Sequence, residues 1–294
     1  MSKLLRWAPV LLLIPLFITG CSGAKSEQNQ GEKNWKTENL KGAVKSYTQS
    51  IYTTTYKFGE IEKGDRVFYA FSIKDDFENI TATYNEKGNL IEVSEYDPIS
   101  GSLRWKTKYV YDDTGKQIEK NWYDSDGDLE SKTKFLYDEK GNLIETDFYE
   151  SDGSFDGKIM YTYDEKGNEI ERKDYMSGGS LYSKVKSIYD DNGNKIKSSQ
   201  YQSDGSLDVH EKYVYDKNGN RIEVSWSGQN LNGKMKIAYD DKGNPIEWSN
   251  HDSEGNSEEG KYTYQYDKKG NWTKMVIYKN GVYENIIERE YTYY

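Results

Sequence analysis

A hexapeptide of the form Tyr-Asp-x-x-Gly-Asn recurs along this chain, and its regular spacing is the feature that most restricts the fold. The sequence YDEKGN occurs unchanged at residues 137–142 and 163–168. Eight copies or near-copies follow one another at steps of 24 to 27 residues, and they begin at Tyr84, Tyr111, Tyr137, Tyr163, Tyr189, Tyr215, Tyr239 and Tyr266. So constant a period predicts a tandem repeat in which each copy folds as the same small unit.

Each repeat contains a second turn signal about half a period after the first. It reads YDSDGDL from Tyr123 and YQSDGSL from Tyr201. The segments between the signals, such as 143–149 and 158–163, are rich in β-branched and aromatic residues and too short for helices. One repeat is therefore predicted to be two strands and two turns.

The residues of the hexapeptide are those that a tight turn needs. Asp138 can accept hydrogen bonds from backbone amides two residues on, and Gly141 can adopt the positive φ that closes a type I turn with a G1 bulge. The same role is predicted for the glycine of every copy, namely Gly88, Gly115, Gly141, Gly167, Gly193, Gly219, Gly243 and Gly270.

Equivalent positions of successive repeats form columns of like residues. Isoleucine stands seven residues after the first tyrosine in seven copies, and tyrosine stands twelve residues after it in six. These columns are predicted to be buried, each against its own kind. Lysine and glutamate columns are predicted to pair across adjoining strands and to help fix the register. A slip of one residue would exchange the faces, so the pattern leaves open which column faces which.

The predicted fold is all-β, with tandem hairpin repeats of about 26 residues in one long antiparallel sheet. A sheet of about sixteen strands must twist, curl or close, so a spiral and a partly closed sheet both remain open. Residues 79–286 hold the eight repeats, and residues 40–78 are predicted to be a degenerate hairpin that caps the array. Residues 287–294 match the first strand of a further repeat and are predicted to close the sheet.

The N-terminus has the order of an export signal. A positively charged start precedes an apolar stretch at 7–18, which ends in the sequence ITGC at Cys21. This order resembles a bacterial lipobox, which implies that residues 1–20 are a signal peptide and that Cys21 is lipidated; an ordinary signal peptide with a chance cysteine is the alternative. Residues 21–39 are then the lipidated cysteine and a polar, flexible tether.

The charge of the chain restricts its partners. Without residues 1–20 it has 38 Lys and Arg against 50 Asp and Glu, a net charge of −12. Phosphate backbones would be repelled, so no nucleic-acid partner is predicted. Attachment to the membrane is predicted through the lipid alone, with no transmembrane helix in the mature chain. The predicted location is the bacterial cell envelope, with the folded part periplasmic or extracellular.

The hexapeptides, in the extended form Tyr-Asp-x-x-Gly-Asn-x-Ile, resemble the YD repeats of the Rhs family, and the YxSDGSL halves resemble MORN-like repeats. The resemblance covers roughly residues 79–294. It implies hairpins joined into a long spiralling sheet. The large Rhs members enclose a C-terminal toxin or act as surface and carbohydrate-associated proteins. This chain usually has Asn where that family has Arg, and it is too short to wrap a cargo, so the resemblance implies a small β-repeat lipoprotein and not a toxin.

No catalytic constellation is found in the sequence. His210 and His251, the two histidines, replace lysine and tyrosine in their columns. The carboxylates belong to turns or charge columns. The chain is therefore predicted to be non-enzymatic and to need no cofactor. Asp124, Asp126 and Asp128 alternate as calcium ligands do, but the same slot in other repeats lacks the extra acids, so a plain turn is the alternative.

Five tryptophans break the repeat consensus and are the predicted ligand-binding residues: Trp105, Trp122, Trp226, Trp248 and Trp272. Aromatic rings beside polar groups can stack on sugars, and filling of a thin core is the alternative. The predicted function is that of a lipid-anchored envelope protein with a binding or scaffold surface for a protein or glycan partner. A glycan-active enzyme with a carboxylate pair and a calcium-stabilised adhesin are the alternatives.

Overall fold

The computed structural model describes residues 34–67, 69–71, 76–228 and 232–294, and the regular structure of these residues is β-strand. The predicted signal peptide, Cys21 and most of the predicted tether lie outside them. The strands are β1 (Val44–Lys57), β2 (Glu60–Arg66), β3 (Tyr69–Phe71), β4 (Asp76–Glu78), β5 (Ile80–Tyr84), β6 (Leu90–Tyr96), β7 (Leu103–Tyr111), β8 (Gln117–Tyr123), β9 (Leu129–Tyr137), β10 (Leu143–Glu150), β11 (Phe155–Tyr163), β12 (Glu169–Met176), β13 (Leu181–Tyr189), β14 (Lys195–Gln202), β15 (Leu207–Tyr215), β16 (Arg221–Gly228), β17 (Asn232–Tyr239), β18 (Pro245–Asp252), β19 (Ser257–Tyr266), β20 (Trp272–Lys279) and β21 (Val282–Tyr293).

The sheet is a closed barrel of 18 antiparallel strands, formed by β1 and β5 to β21. One edge of β1 pairs with β21 from Val44 to Thr53, and its other edge pairs with β5 at Ser46, Tyr47 and Thr48. The prediction of a spiral or partly closed sheet is corrected by this closure. Since β1 pairs with both the first and the last strand of the array, neither end of the sheet is left as an open edge.

The segment predicted to be an N-terminal cap therefore supplies the strand that joins the two ends. The far half of β1 extends past β5 and pairs with β2. Asn79, at the start of β5, is buried in the gap between β2 and β5. Its side chain accepts hydrogen bonds from the Ile51 amide at 3.2 Å and Arg66 Nε at 3.0 Å, and it donates to the Val67 carbonyl at 2.7 Å.

The turns form as the hexapeptide predicts. In one copy the Gly141 amide donates to the Asp138 carbonyl at 3.0 Å, and the Asn142 amide donates to Asp138 Oδ1 at 2.8 Å. Gly141 has a φ of 92°. The equivalent glycines of the other copies have φ values between 82° and 92°, a range that disfavours any residue with a Cβ.

A bulge next to each of these turns places the isoleucine column outside. Tyr163 pairs with Glu169 and Thr162 pairs with Glu171, which leaves Ile170 as the extra residue. Because a bulge of this kind turns two successive residues toward one side, Ile170 shares the outer face with Glu171. Ile118, Ile170 and Ile196 are 37 to 39% exposed, so the prediction that this column is buried is wrong.

The tyrosine column that stands twelve residues after the hexapeptide tyrosine also lies on the outer face. Lysines cover it: Lys134 Nζ lies 5.1 Å from the Tyr149 ring centre, and Lys184 Nζ lies 5.1 Å from that of Tyr201. The predicted pairing of lysine and glutamate columns is confirmed by the ion pairs Lys132–Glu119, Lys158–Glu145, Lys234–Glu223 and Lys261–Glu247, at 2.8 to 3.3 Å. Exposed pairs of this kind stabilise a fold by at most about 1 kcal/mol each, so their main role is register.

The apolar core lies on the inner face, on both sides of β1. One cluster joins Ile51 and Ile287 to inward residues of β15 to β20, among them Trp226 and Trp248. A second cluster, around Tyr47 and the first strands of the array, consists of Val44, Tyr47, Ala82, Tyr84 and Leu90. The inner wall of the middle repeats is more polar, with Ser183, Ser187, Ser198 and Thr146 buried together with Tyr161.

Residues 34–41, here called the strap, are folded although most of them belong to the predicted flexible tether. At one end the Trp35 amide donates to the Gly88 carbonyl at 3.0 Å, and its indole N–H donates to the Val44 carbonyl at 2.7 Å. At the other end the Lys41 amide donates to Asn271 Oδ1 at 2.6 Å, while Asn271 Nδ2 donates to the Lys41 carbonyl at 2.8 Å. The strap thus crosses the end of the barrel that carries the hexapeptide turns.

Candidate functional site

A cavity of about 510 Å³ lies under the strap at this end of the barrel. Its floor consists of inward side chains of β1, β19, β20 and β21: Tyr47, Tyr264, Trp272, Arg289 and Tyr291. Strap residues 38–41 form one wall. The turns after β17 and β19 form the rim. The site therefore joins residues near the start of the described chain to residues near its end.

Arg289 is the central group of the floor. Its guanidinium carbon lies 3.9 Å from the ring centre of Trp272 and 4.4 Å from that of Tyr47. Its Nε donates to Gln49 Oε1 at 2.9 Å, and Gln49 in turn donates from Nε2 to the Glu78 carbonyl at 2.9 Å. Two aromatic rings and one amide therefore hold the guanidinium plane in place.

The tyrosines of the last two repeats make hydrogen bonds that differ from those of the middle repeats. In the middle of the array the hexapeptide tyrosine donates to a backbone carbonyl twenty residues earlier, as Tyr163 does to Leu143 at 2.8 Å. Near the cavity this bond is made by an additional tyrosine, two residues before Tyr266 or Tyr293. Tyr264 donates to the Pro245 carbonyl at 2.9 Å, and Tyr291 donates to the Trp272 carbonyl at 3.0 Å.

Tyr266, which begins the last hexapeptide, and Tyr293, which holds the equivalent position at the end of β21, bond to turn aspartates near the rim of the cavity instead. Tyr266 donates to Asp240 Oδ2 at 2.7 Å, and Tyr293 donates to Asp267. Lys242 Nζ lies 3.5 Å from the Tyr266 ring centre, and Lys269 Nζ lies 3.5 Å from that of Tyr293. The rim therefore carries two lysines that stack on tyrosine rings beside the cavity.

The charge of the cavity is opposite to that of the whole protein. Its lining has four cationic side chains, Lys41, Lys242, Lys269 and Arg289, and two carboxylates, Glu38 and Asp241, an excess of two positive charges. The complete chain carries a net charge of −10. Glu38 accepts a hydrogen bond from the Tyr84 hydroxyl. A cationic cavity in an acidic protein favours an anionic ligand over the general surface.

The ionisable groups of the floor keep their ordinary charge states at neutral pH. Burial raises the pKa of Tyr47, Tyr264 and Tyr291, so these phenols stay protonated. Burial lowers the pKa of Arg289, but the nearby Tyr47, Tyr291 and Glu38 raise it by more, and Arg289 remains a cation. The floor thus offers hydroxyl donors and one fixed positive charge.

Of the five predicted ligand-binding tryptophans, Trp272 alone lines the cavity. Trp226 and Trp248 are 8% and 7% exposed, and they pack on Gly233 and Gly260 of the neighbouring strands. Ring-on-glycine packing gives them the core role that was the alternative reading. Trp105 and Trp122 face inward near the opposite end of the barrel, beside the buried Thr107.

The calcium candidates take part in a turn. Asp124 Oδ1 accepts hydrogen bonds from the amides of Asp126 and Asp128, each at 2.9 Å. Among the residues described, no group of three or more His, Cys, Asp or Glu is arranged to hold a metal ion. His210 pairs with Ser199 and His251 with Lys234, both on the lysine and tyrosine columns of the outer face.

Arg289 and its partners Tyr47 and Gln49 were not predicted from the sequence. Arg289 stands four residues before Tyr293, and the same inward column holds Thr107, Thr133, Ile159, Val185, Glu211, Met235 and Tyr262 in the repeats before it. A cation in this column, together with the extra tyrosines in YTYQY and EREYTYY, is the signal that marks the site. This signal can be recognised only when it is known which columns face inward.

Residues 104–188 match a family model whose description is "Uncharacterised protein". No curated protein matches this chain. Within the described ranges, the structure contains no helix long and apolar enough to cross a membrane.

The similar solved structures include toxin chains and a porin-like protein. A chain of the Tc holotoxin pore of Photorhabdus luminescens is 16% identical, with a TM-score of 0.35, over 71% of this chain and 11% of that one. A TcdB2-TccC3 structure is 15% identical, with a TM-score of 0.32, over 68% of this chain and 13% of that one. A porin-like protein from Bacteroides uniformis is 11% identical, with a TM-score of 0.43, over 85% and 96%. This chain spans only a small part of the toxin chains.

Proposed function

We propose that this protein is a non-enzymatic binding protein of the bacterial cell envelope, anchored through a lipid on Cys21. Its ligand is a small ring-bearing molecule, a glycan fragment in the first instance, which enters the cavity between the strap and the barrel. The supporting observation is the preformed cavity of about 510 Å³ with Tyr47, Tyr264, Trp272 and Tyr291 in its lining.

The size and the chemistry of the cavity fit this role. Pockets for small molecules measure roughly 300 to 1,000 Å³, and they combine aromatic walls with a few placed polar groups. Here the rings are held by fixed bonds: Tyr291 donates to the Trp272 carbonyl, and Tyr264 lies edge-on to Trp272 with ring centres 6.3 Å apart. Rings that are already ordered lose little entropy when a ligand binds.

A binding screen on the full chain, purified in detergent, tests the proposal. Ligand-observed NMR against a panel of monosaccharide and disaccharide glycosides should detect binding. Trp272→Ala should abolish it, because this ring forms part of the floor. Trp105→Ala is the matched control, since Trp105 faces inward at the other end of the barrel. Equal loss in both variants, or no binding by the unchanged protein, would contradict a ligand site in this cavity.

A protein-scaffold role is supported by a different feature, the aliphatic band on the outer face near the hexapeptide turns. Leu136, Ile188 and Val214 are 46 to 54% exposed there, next to the outward isoleucines. An apolar band of this kind is typical of protein-docking surfaces. Ile188→Lys should reduce recovery of a partner protein while leaving ligand binding in the cavity intact. Unchanged recovery would count against the scaffold role.

A further inference from the structure

We infer that the cavity selects a ligand with a carboxylate, and that Arg289 is the residue that binds it. The inference rests on the proposed binding function and names the class of ligand. It begins with the surroundings of the guanidinium. Its Nε donates to Gln49, its planar faces lie against Tyr47 and Trp272, and the Tyr291 hydroxyl is close enough to interact with it. Among the residues that the structure describes, no carboxylate lies within the 4.0 Å of an ion pair with it.

Arg289 is partly buried, and a partly buried arginine without a carboxylate ion pair is a costly arrangement. Removing a charge from water is compensated in proteins by an opposite charge or by several hydrogen bonds. Elsewhere on the inner wall the chain makes this compensation internally, since Arg172 forms two hydrogen bonds of 2.9 Å with Asp174. Arg289 differs, because its Nε donates to Gln49 and Tyr291 interacts with the guanidinium, while no carboxylate forms an ion pair with it among the described residues. A ligand carboxylate on the two terminal nitrogens would supply the opposite charge that Asp174 supplies to Arg172.

The guanidinium of Arg289 is also already ordered for binding an anion. The two rings and Gln49 fix the plane of the guanidinium, so its remaining N–H groups have a set direction before the ligand arrives. The side-chain entropy that an arginine usually loses on binding is then already lost in the free protein. A fixed, planar fork suits two parallel hydrogen bonds to one carboxylate.

The lysines of the rim add to the selection. Lys242 and Lys269 lie at the entrance, and Lys41 lies on the strap, so an anion meets positive charge along its way to Arg289. Glu38 lies close enough to the guanidinium to raise the pKa of Arg289. Its carboxylate would therefore repel a second negative charge on a ligand bound to Arg289. The aromatic rings of the floor can pack on an organic ring but offer no such contact to a bare inorganic ion. The favoured ligand is therefore an organic acid with one carboxylate on a ring, for which an acidic sugar is the simplest example.

Isothermal titration of the full chain with a matched pair of ligands tests this. The two are para-nitrophenyl glucuronide and para-nitrophenyl glucoside, which differ by a carboxylate in place of a hydroxymethyl group. We expect the glucuronide to bind at least about ten-fold more tightly, since a hydrogen bond to a charged group contributes roughly 1.5 to 3 kcal/mol. Arg289→Met should remove this preference. Lys184→Met, which deletes a positive charge from the outer face, should keep it.

The outcomes separate the two proposals. Equal binding of both glycosides, or an unchanged preference in Arg289→Met, would overturn the carboxylate inference and leave the binding function intact. Binding of neither glycoside, with or without competing phosphate, would count against the binding function itself. Tight binding of inorganic phosphate with no affinity for the glucuronide would overturn the inference as an unspecific anion effect. If Arg289→Met does not fold, Arg289→Lys replaces it, with an intermediate preference expected because the charge remains and the fork is lost.

Discussion

The contact between Asn271 and the strap can be tested by replacing that side chain with alanine. Asn271 is 3% exposed and is the last asparagine of the eight hexapeptide turns. Its side chain makes three hydrogen bonds beyond its own turn, two with the Lys41 backbone at 2.6 and 2.8 Å and one with the Tyr293 hydroxyl at 2.9 Å. Asn271→Ala should therefore release one end of the strap and weaken the fold.

The magnitude follows from the bonds that are lost. A hydrogen bond contributes about 1 kcal/mol net, and three of them give a loss of roughly 2 to 4 kcal/mol in the free energy of unfolding. Asn142→Ala is the matched control, because Asn142 stands at the same position of its repeat. Its side-chain amide donates to Asp138 within its own turn at 2.8 Å, so we expect a loss of only about 1 kcal/mol.

Urea unfolding measures the loss in the free energy of unfolding. Hydrogen exchange of the amides of residues 34–41 measures the release of the strap. Asn271→Ala should shift the urea midpoint more than Asn142→Ala and should speed exchange in the strap. Asn142→Ala should leave exchange there unchanged. Equal shifts in the two variants, or unchanged exchange in Asn271→Ala, would refute the conclusion that Asn271 holds the strap over the cavity.

Three further predictions concern other parts of the chain. Gly233→Ala should destabilise the barrel by about 1 to 3 kcal/mol, because its Cβ would lie 2.6 Å from Trp226 Cε2 and 2.9 Å from the His251 carbonyl oxygen; Gly178→Ala, with no atom within 4 Å, is the control in thermal melts. The aspartates of the hexapeptide turns, such as Asp138 with its Asn142 hydrogen bond, have pKa values below the ordinary 3.8, so their stabilisation is complete above that pH and is lost as the pH falls below it. Melting temperatures should then fall steeply below a pH of about 4, and a flat profile from 5 to 3 would contradict this account. Cys21→Ser should release the protein from the membrane fraction, and retained sedimentation with membranes would argue against the lipid anchor.

The local half of this structure was predictable because its causes lie within one repeat. The turn depends on the bonds of Asp138 with Gly141 and Asn142, three and four residues on. The pairing of Lys158 with Glu145 depends on two strands joined by a single turn. The period of the sequence repeats both causes in most of the eight copies, so each prediction was supported several times.

The long-range half was not predictable in the same way. The outward position of Ile170 depends on a bulge, which shifts the alternation of faces by one residue without any sign in composition. Closure depends on pairs such as Val44 with Tyr293, which lie at opposite ends of the chain. Arg289 reads as one charge among 90 until the barrel places it beside Tyr47 and Gln49.

The position of the cavity follows from how the repeat closes on itself. In the first part of the array a turn packs on the one before it, as Gly193 does on Asn168 Oδ1, where a Cβ would lie 3.6 Å away. The row of turns is interrupted where β1 begins and β21 ends, since neither terminus carries a hexapeptide. The strap fills this place: Trp35 packs on Gly88, the first turn glycine, and Lys41 bonds to Asn271 of the last turn. A strap of different sequence does not copy the packing of a turn, and the cavity with Arg289 on its floor is the space that this mismatch leaves. A repeat protein can in this way keep a uniform scaffold and place a cavity of different composition at the join.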